Sequence, residues 1–198
     1  MVIAMHGVLD RRDAVARLLA DRGDALVVTG LGSPTYDVHA TGDHDANYYL
    51  WGAMGAASLV GFGLAQSQPG RRVLVITGDG EQLMALGGLA TIAAARPTNL
   101  DIVVLDNEHY GETGMQTSHT GLGIDLAAIA AAIGFADSRV VRTDIELAQL
   151  ISDRGAPSAG PRLAVVKIRP ETLPRSMPSR DAVFIKNRFR AHLGLTPN

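Results

Sequence analysis

Two short apolar runs, each ending in small or polar residues and joined by one amphipathic stretch, constrain this chain more than any other feature. The first, VLVIT at 73–77, stops at Gly78-Asp79-Gly80, and the second, DIVVL at 101–105, stops at Asp106-Asn107. Runs of this length, rich in Val and Ile and without polar alternation, read as strands buried on both faces. Between them, Leu83, Met84, Leu86, Leu89, Ala90 and Ile92 recur at helical spacing, so 81–95 reads as one helix with a single apolar side. A strand, a helix and a strand in that order form a right-handed crossover between parallel neighbours. Asp79 and Asn107 then emerge at the same edge of one sheet.

The rest of the chain repeats the alternation. Asp10 or Asp13 caps a helix reaching about Ala20, with Val15, Leu18 and Leu19 as its apolar side, and a strand follows at 25–29. Residues 30–47 are polar and rich in Gly, Asp and His, and are expected to form a long loop. A glycine-spaced helix is expected at 56–66. Beyond a second Gly- and Thr-rich loop at 107–123, Asp125 caps a helix at 126–133 that Gly134 stops. A strand at 138–141, a helix at 145–153 and a strand at 163–168 close the pattern. The expected fold class is α/β, a single three-layer domain at 1–169 whose mostly parallel sheet carries helices on both faces. Sheets of this kind take ligands outside the carboxyl ends of their strands, where the loops after Thr29, Thr77 and Leu105 lie. Residues 170–198 are proline-rich and end in a basic helix near 181–193. They are too short for a domain and read as a tail packed on the core or on a neighbouring subunit.

Composition removes several functions. The chain of 198 residues has no cysteine, which excludes thiolate metal sites, iron–sulfur ligation, disulfides and cysteine nucleophiles within it. A formal net charge of −2 gives no global attraction to nucleic acid or anionic lipid. No apolar run approaches the length of a membrane span, and residues 1–13 lack the pattern of a signal peptide, so the cytoplasm is the expected location.

At the shared edge, the glycines on either side of Asp79 allow backbone to approach a phosphate, and the helix that follows points its first amides the same way. Gly-Asp-Gly and a strand-end Asn each also occur as plain turn chemistry. The two together suit a hard divalent cation holding a diphosphate, because Mg²⁺ takes about six oxygens and only a few of them from protein.

The runs NYYLWGAMGAASLVGFGLA (47–65), GDGEQLMALGGLATI (78–92) and LDNEHYGETGMQT (105–117) resemble the diphosphate-anchoring domain of thiamine-diphosphate (ThDP) enzymes. Within that group the pattern is similar to the β subunit of sulfopyruvate decarboxylase and the matching part of phosphonopyruvate decarboxylase. The resemblance implies Asp79, Asn107 and the backbone carbonyl of His109 as Mg²⁺ ligands. It also implies that Gly78, Gly80 and Glu81 line the diphosphate site, the latter two through their amides. The Gly52 carbonyl would meet the aminopyrimidine, and Met54 would wedge under the bent cofactor. Gly32, Ser33, Thr113 and Gln116 are expected to line the site more loosely. Glu81 departs from the pattern, which carries a small residue there. A carboxylate beside a diphosphate is costly, so Glu81 is expected to turn away and cap its own helix. His44 and His119 read as exposed loop residues near the pocket edge.

The family's activating glutamate sits on a separate pyrimidine-binding domain, for which this chain has no room. The resemblance therefore implies a heteromeric enzyme in which an α subunit supplies that glutamate and this chain contributes no catalytic side chain. The implied substrate is a small acidic 2-oxo acid. Carboligation, oxidative transfer or a non-catalytic ThDP-fold protein remain as alternatives. A haloacid-dehalogenase-type phosphatase fails for want of a carboxylate after the first strand, and a Rossmann dehydrogenase for want of GxGxxG there.

Overall fold

A computed structural model describes residues 9–196; the first eight residues, part of the N-terminal stretch read above, lie outside it. Helix α1 (Arg11–Ala20) starts where the Asp10 carboxylate accepts from the Asp13 N–H at 2.9 Å. Strands β1 (Leu26–Thr29), β2 (Asn47–Tyr49), β3 (Val73–Gly78), β4 (Leu100–Asp106), β7 (Asp137–Val141) and β8 (Arg162–Lys167) form one sheet. Its order is β2-β1-β3-β4-β8-β7 and every pairing is parallel. The expected three-layer architecture holds.

Even the continuously apolar strands sort their side chains by a period of two. Leu26, Val28, Val75, Ile102, Val104 and Val165 face one core cluster, whose helical side comes from α3 (Ala57–Ser67), α5 (Leu86–Ala95) and α6 (Leu126–Ile133). Val27, Leu74, Ile76, Val103, Leu105 and Val166 face the other, built with α1 and α7 (Asp144–Arg154). Helix α3 lies close on the sheet because Gly61 has no side chain; a Cβ there would sit 2.2 Å from a methyl of Val75.

Three expectations change. The segment 30–47 is not a loop throughout: it holds α2 (Ser33–Ala40), started by Pro34 in its first turn, and then β2. Its apolar side is thin, and it buries Asp37, whose charge Arg11 meets at 3.1 Å and Arg12 at 3.2 Å. The single helix expected at 81–95 is two, α4 (Asp79–Met84) and α5, broken at Ala85. The start of α4 is tethered by buried side chains, Glu81 to two other loops and Gln82 to Ser58, while Gly88 lets α5 settle on Leu59 of α3. One straight axis cannot serve both. The loop 107–123 contains a small antiparallel hairpin, β5 (His109–Tyr110) and β6 (Gln116–Thr117).

After β8 the chain crosses α1 and α2 in irregular conformation before α8 (Ala182–His192) packs back on the body. Asp181 caps α8, and Ile185 and Phe189 enter the two cores. No helix among the described residues is long and apolar enough to cross a membrane.

Candidate functional site

The carboxyl ends of β1, β3 and β4 and the turns behind them enclose a cleft of about 190 Å³. Gly78, Asp79, Gly80 and Glu81 form its floor, with Asn107, His109 and Thr113 from the loop after β4, and Ser33 and Met54 from the loops beside it. Of the residues expected at the site, Gly32 and Gly52 adjoin the cleft in sequence without lining it, and Gln116 binds Thr113 rather than facing it. Gly80 is required by close approach: a Cβ would fall 2.6 Å from the Tyr110 ring. The backbone here is strained. Among the described residues, four non-glycines have positive φ; Arg96 ends α5, and the other three, Ala53, Glu108 and Met115, are on loops around the cleft. Such residues cluster where a site over-determines its loops.

Asp79 is buried, and its Oδ2 accepts from the Ser118 hydroxyl and, at 3.1 Å, from that of Thr120. The Thr120 oxygen also lies 2.8 Å from Asp106 Oδ1, so its one hydroxyl proton is shared between the two carboxylates. Burial pushes the Asp79 carboxyl up to about 6, Asp106 adds to the rise, and the Ser118 and Thr120 hydroxyls oppose it. Lys167 balances part of the charge, 2.8 Å from Asp106 and 2.7 Å from Glu108. Three carboxylates and one ammonium leave the cluster short of positive charge.

The loop after β4 is fixed by its own polar groups. Asp106 Oδ1 accepts from the Glu108 N–H at 2.9 Å, and Asn107 Oδ1 from the His109 N–H at 3.0 Å. The His109 Nδ1–H donates to the Asn107 carbonyl at 2.7 Å. Asn107 Oδ1 keeps a second lone pair free for a cation. Among the described residues no three His, Cys, Asp or Glu side chains converge as metal ligands. A cation here would therefore draw on one carboxylate, one amide oxygen and backbone carbonyls, which suits a hard ion that keeps oxygens from phosphate and water.

The family model for the C-terminal TPP-binding domain of thiamine pyrophosphate enzymes matches residues 32–167. The chain belongs to this family. It is 39% identical to the sulfopyruvate decarboxylase β subunit of Methanothermobacter thermautotrophicus, over 92% of this chain and 94% of that one. It is 37% identical to the phosphonopyruvate decarboxylase of Streptomyces viridochromogenes, over 93% of this chain but 46% of the relative. The chain thus spans about half the length of that enzyme. In fold it is similar to benzoylformate decarboxylase from Polynucleobacter necessarius, with a TM-score of 0.70 at 22% identity over 88% of this chain and 36% of that one.

In this chain Glu81 does not make the expected helix cap. Gly78 is the N-cap of α4 without a side-chain bond, and the Glu81 carboxylate instead accepts from the Leu31 N–H at 2.8 Å and the Gly55 N–H at 3.3 Å. Burial raises its pKa, and those donors hold it down. His44 meets His192 on the tail helix edge to face, and His119 Nδ1 lies 3.1 Å from the Tyr110 hydroxyl in a hydrogen bond; neither lines the cleft. Ser118, Thr120 and Lys167 join the site without a motif of their own in the sequence. Lys167 had one signal, a lone cation ending an apolar strand.

Proposed function

We propose that the chain is the β-type, diphosphate-anchoring subunit of a heteromeric, ThDP- and Mg²⁺-dependent 2-oxo acid decarboxylase. Its substrate would be a small acidic 2-oxo acid of the sulfopyruvate or phosphonopyruvate kind. The observation that carries the reading is the convergence of Asp79, Asn107 and His109 on one cleft with the glycine-flanked turn 78–80. Residues 1–169 would hold the cofactor and 170–198 form the tail, and the protein would work in the cytoplasm.

The donor set fits the group. Asp79, the Asn107 side chain and the His109 carbonyl would hold the ion, and its two charges would answer the excess of carboxylate around Asp79 and Asp106. The Gly80 and Glu81 amides, at the start of α4, would donate to the diphosphate. Met54, lining the cleft from a loop of left-handed residues, would support the cofactor between its rings, and the Gly52 carbonyl would accept from the aminopyrimidine. Ser33 and Thr113 would complete the walls, with Gly32 in the turn just before Ser33. When bound, ThDP supplies the electron sink for the carbon that loses CO₂. This chain's part is to bind and orient; the glutamate that activates the cofactor would come from the α subunit. Leu59 and Met84, exposed by 40% and 65% on α3 and α4, support a partner on that side of the cleft.

Calorimetric titration tests the reading. The chain should bind ThDP only with Mg²⁺ present, and Asp79→Ala should abolish that heat while leaving a folded protein. Decarboxylation should need the α subunit. Equal ThDP affinity in Asp79→Ala would remove the ligand assignment.

A further inference from the structure

Glu81 is the second residue after Asp79, yet its side chain serves neither the ion nor its own helix. It is 3% exposed, and its two oxygens reach different loops. Oε2 accepts from the Leu31 N–H, after β1, at 2.8 Å; Oε1 accepts from the Gly55 N–H, before α3, at 3.3 Å. The molecule makes room for this. A Cβ on Gly30 would sit 2.0 Å from Oε2, and the Gly30 backbone is not in the left-handed region, so space rather than conformation keeps a side chain out.

The loops so joined are the ones that flank the cleft. Leu31 and Ser33 line it from one side, and Met54 from another. The Met54 loop needs an outside hold, because Gly52, Ala53 and Gly55 all have positive φ and no strand ladder fixes them. A buried carboxylate that accepts from backbone N–H groups on two loops is such a hold. Without it, both donors would be left in a dry interior lacking an acceptor.

We propose that Glu81 is the positioning residue of the cofactor site, its carboxylate tying the Leu31–Ser33 and Gly52–Gly55 loops to the diphosphate turn so that all three present one rigid surface to ThDP. This rests on the ThDP reading above and deepens it. The charge of Glu81 is met by amides from elsewhere in the chain and so stays off the phosphates.

The test uses the full chain and two Mg²⁺-dependent titrations, one with ThDP and one with inorganic pyrophosphate. Pyrophosphate needs only the turn around Asp79 and the ion held with Asn107 and His109; ThDP needs the Met54 loop as well. Glu81→Gln puts an amide NH₂ among backbone donors. Gly30→Ala leaves Glu81 in place but pushes its carboxylate off the Leu31 N–H. Both variants should lose about tenfold or more in ThDP affinity, the scale of hydrogen bonds to a charged group. Pyrophosphate affinity should stay close to that of the wild type. Parallel losses for the two ligands, or unchanged ThDP affinity, would overturn the positioning role while leaving the cofactor assignment standing. A wild-type chain without Mg²⁺-dependent ThDP binding would overturn both. Should Glu81→Gln not fold, Gly30→Ala carries the same two readings.

Discussion

Lys167→Met gives a direct measure of the charge cluster under the site. The straight methionine stem keeps the packing of the lysine carbons and removes only the ammonium. What is lost is a pair of contacts, 2.8 Å to Asp106 and 2.7 Å to Glu108, with Asp106 almost fully buried. Deleting one partner of a buried pair costs about 3–5 kcal/mol, because the remaining charge is stranded. Here Lys167, Asp106 and Glu108 also border a solvent-open cavity of about 460 Å³. Water can re-hydrate part of the stranded charge, so we expect about 2–3 kcal/mol. For a chain of this size that is a fall in Tm of about 5–10 °C, read by circular dichroism without Mg²⁺. The double variant Lys167→Met with Asp106→Asn should recover part of the loss, since the neutral amide no longer needs the ammonium. A Tm change below about 2 °C, or strictly additive losses, would refute the view that Lys167 is the counter-ion of a buried carboxylate cluster.

Two further outcomes follow from the same geometry. Gly80→Ala drives a methyl into the Tyr110 ring and should cost about 1–3 kcal/mol in urea denaturation, whereas Gly63→Ala, exposed on α3 with nothing within 4 Å, should be neutral or stabilising; equal effects would refute the close-approach argument. The His44–His192 pair, which joins β2's approach to α8, should make the fold acid-sensitive. Burial, together with Arg22 and Arg71, holds both imidazoles below the usual histidine range, while Asp43 and Asp45 oppose the shift. The unfolded chain then binds more protons than the folded one, so stability present above about pH 6.5 falls as the pH drops through that value. Tm measured at pH 7.5 and 5.5 should show a smaller drop in a His44→Asn, His192→Asn variant than in the wild type; an equal drop would remove the pair as the cause.

The sequence made some of this legible because the relevant physics is local. Strands β3 and β4, the turn 78–80 and the caps at Asp125 and at Asp10 or Asp13 each announce themselves within a few residues. Helix α2 did not, because its stability comes from Asp37 meeting Arg11 and Arg12 and from contacts with α1, none of which leaves a periodic trace. The break at Ala85 was hidden for a related reason: the apolar spacing from Leu83 to Ile92 runs through it, and only the tethering of Glu81 and Gln82 by other loops turns α4 away from the axis of α5.

The division at the site follows the same line. Asp79 and Asn107 were legible as neighbours because each ends an apolar strand of one crossover, and His109 through the family resemblance; the structure puts all three on one cleft. Ser118, Thr120 and Lys167 were not, because their partners are side chains brought close only by the sheet and its loops; Lys167 meets Glu108 from 59 positions away. Glu81 is the instructive case between the two. Local reasoning expects the carboxylate to cap its own helix; it goes elsewhere, since a helix start is not the only array of free N–H groups within reach. The loops that a ThDP site must hold open expose backbone donors of their own. A buried acid two residues beyond Asp79, the proposed metal ligand, satisfies those donors and, by doing so, sets the distance between the walls of the cleft.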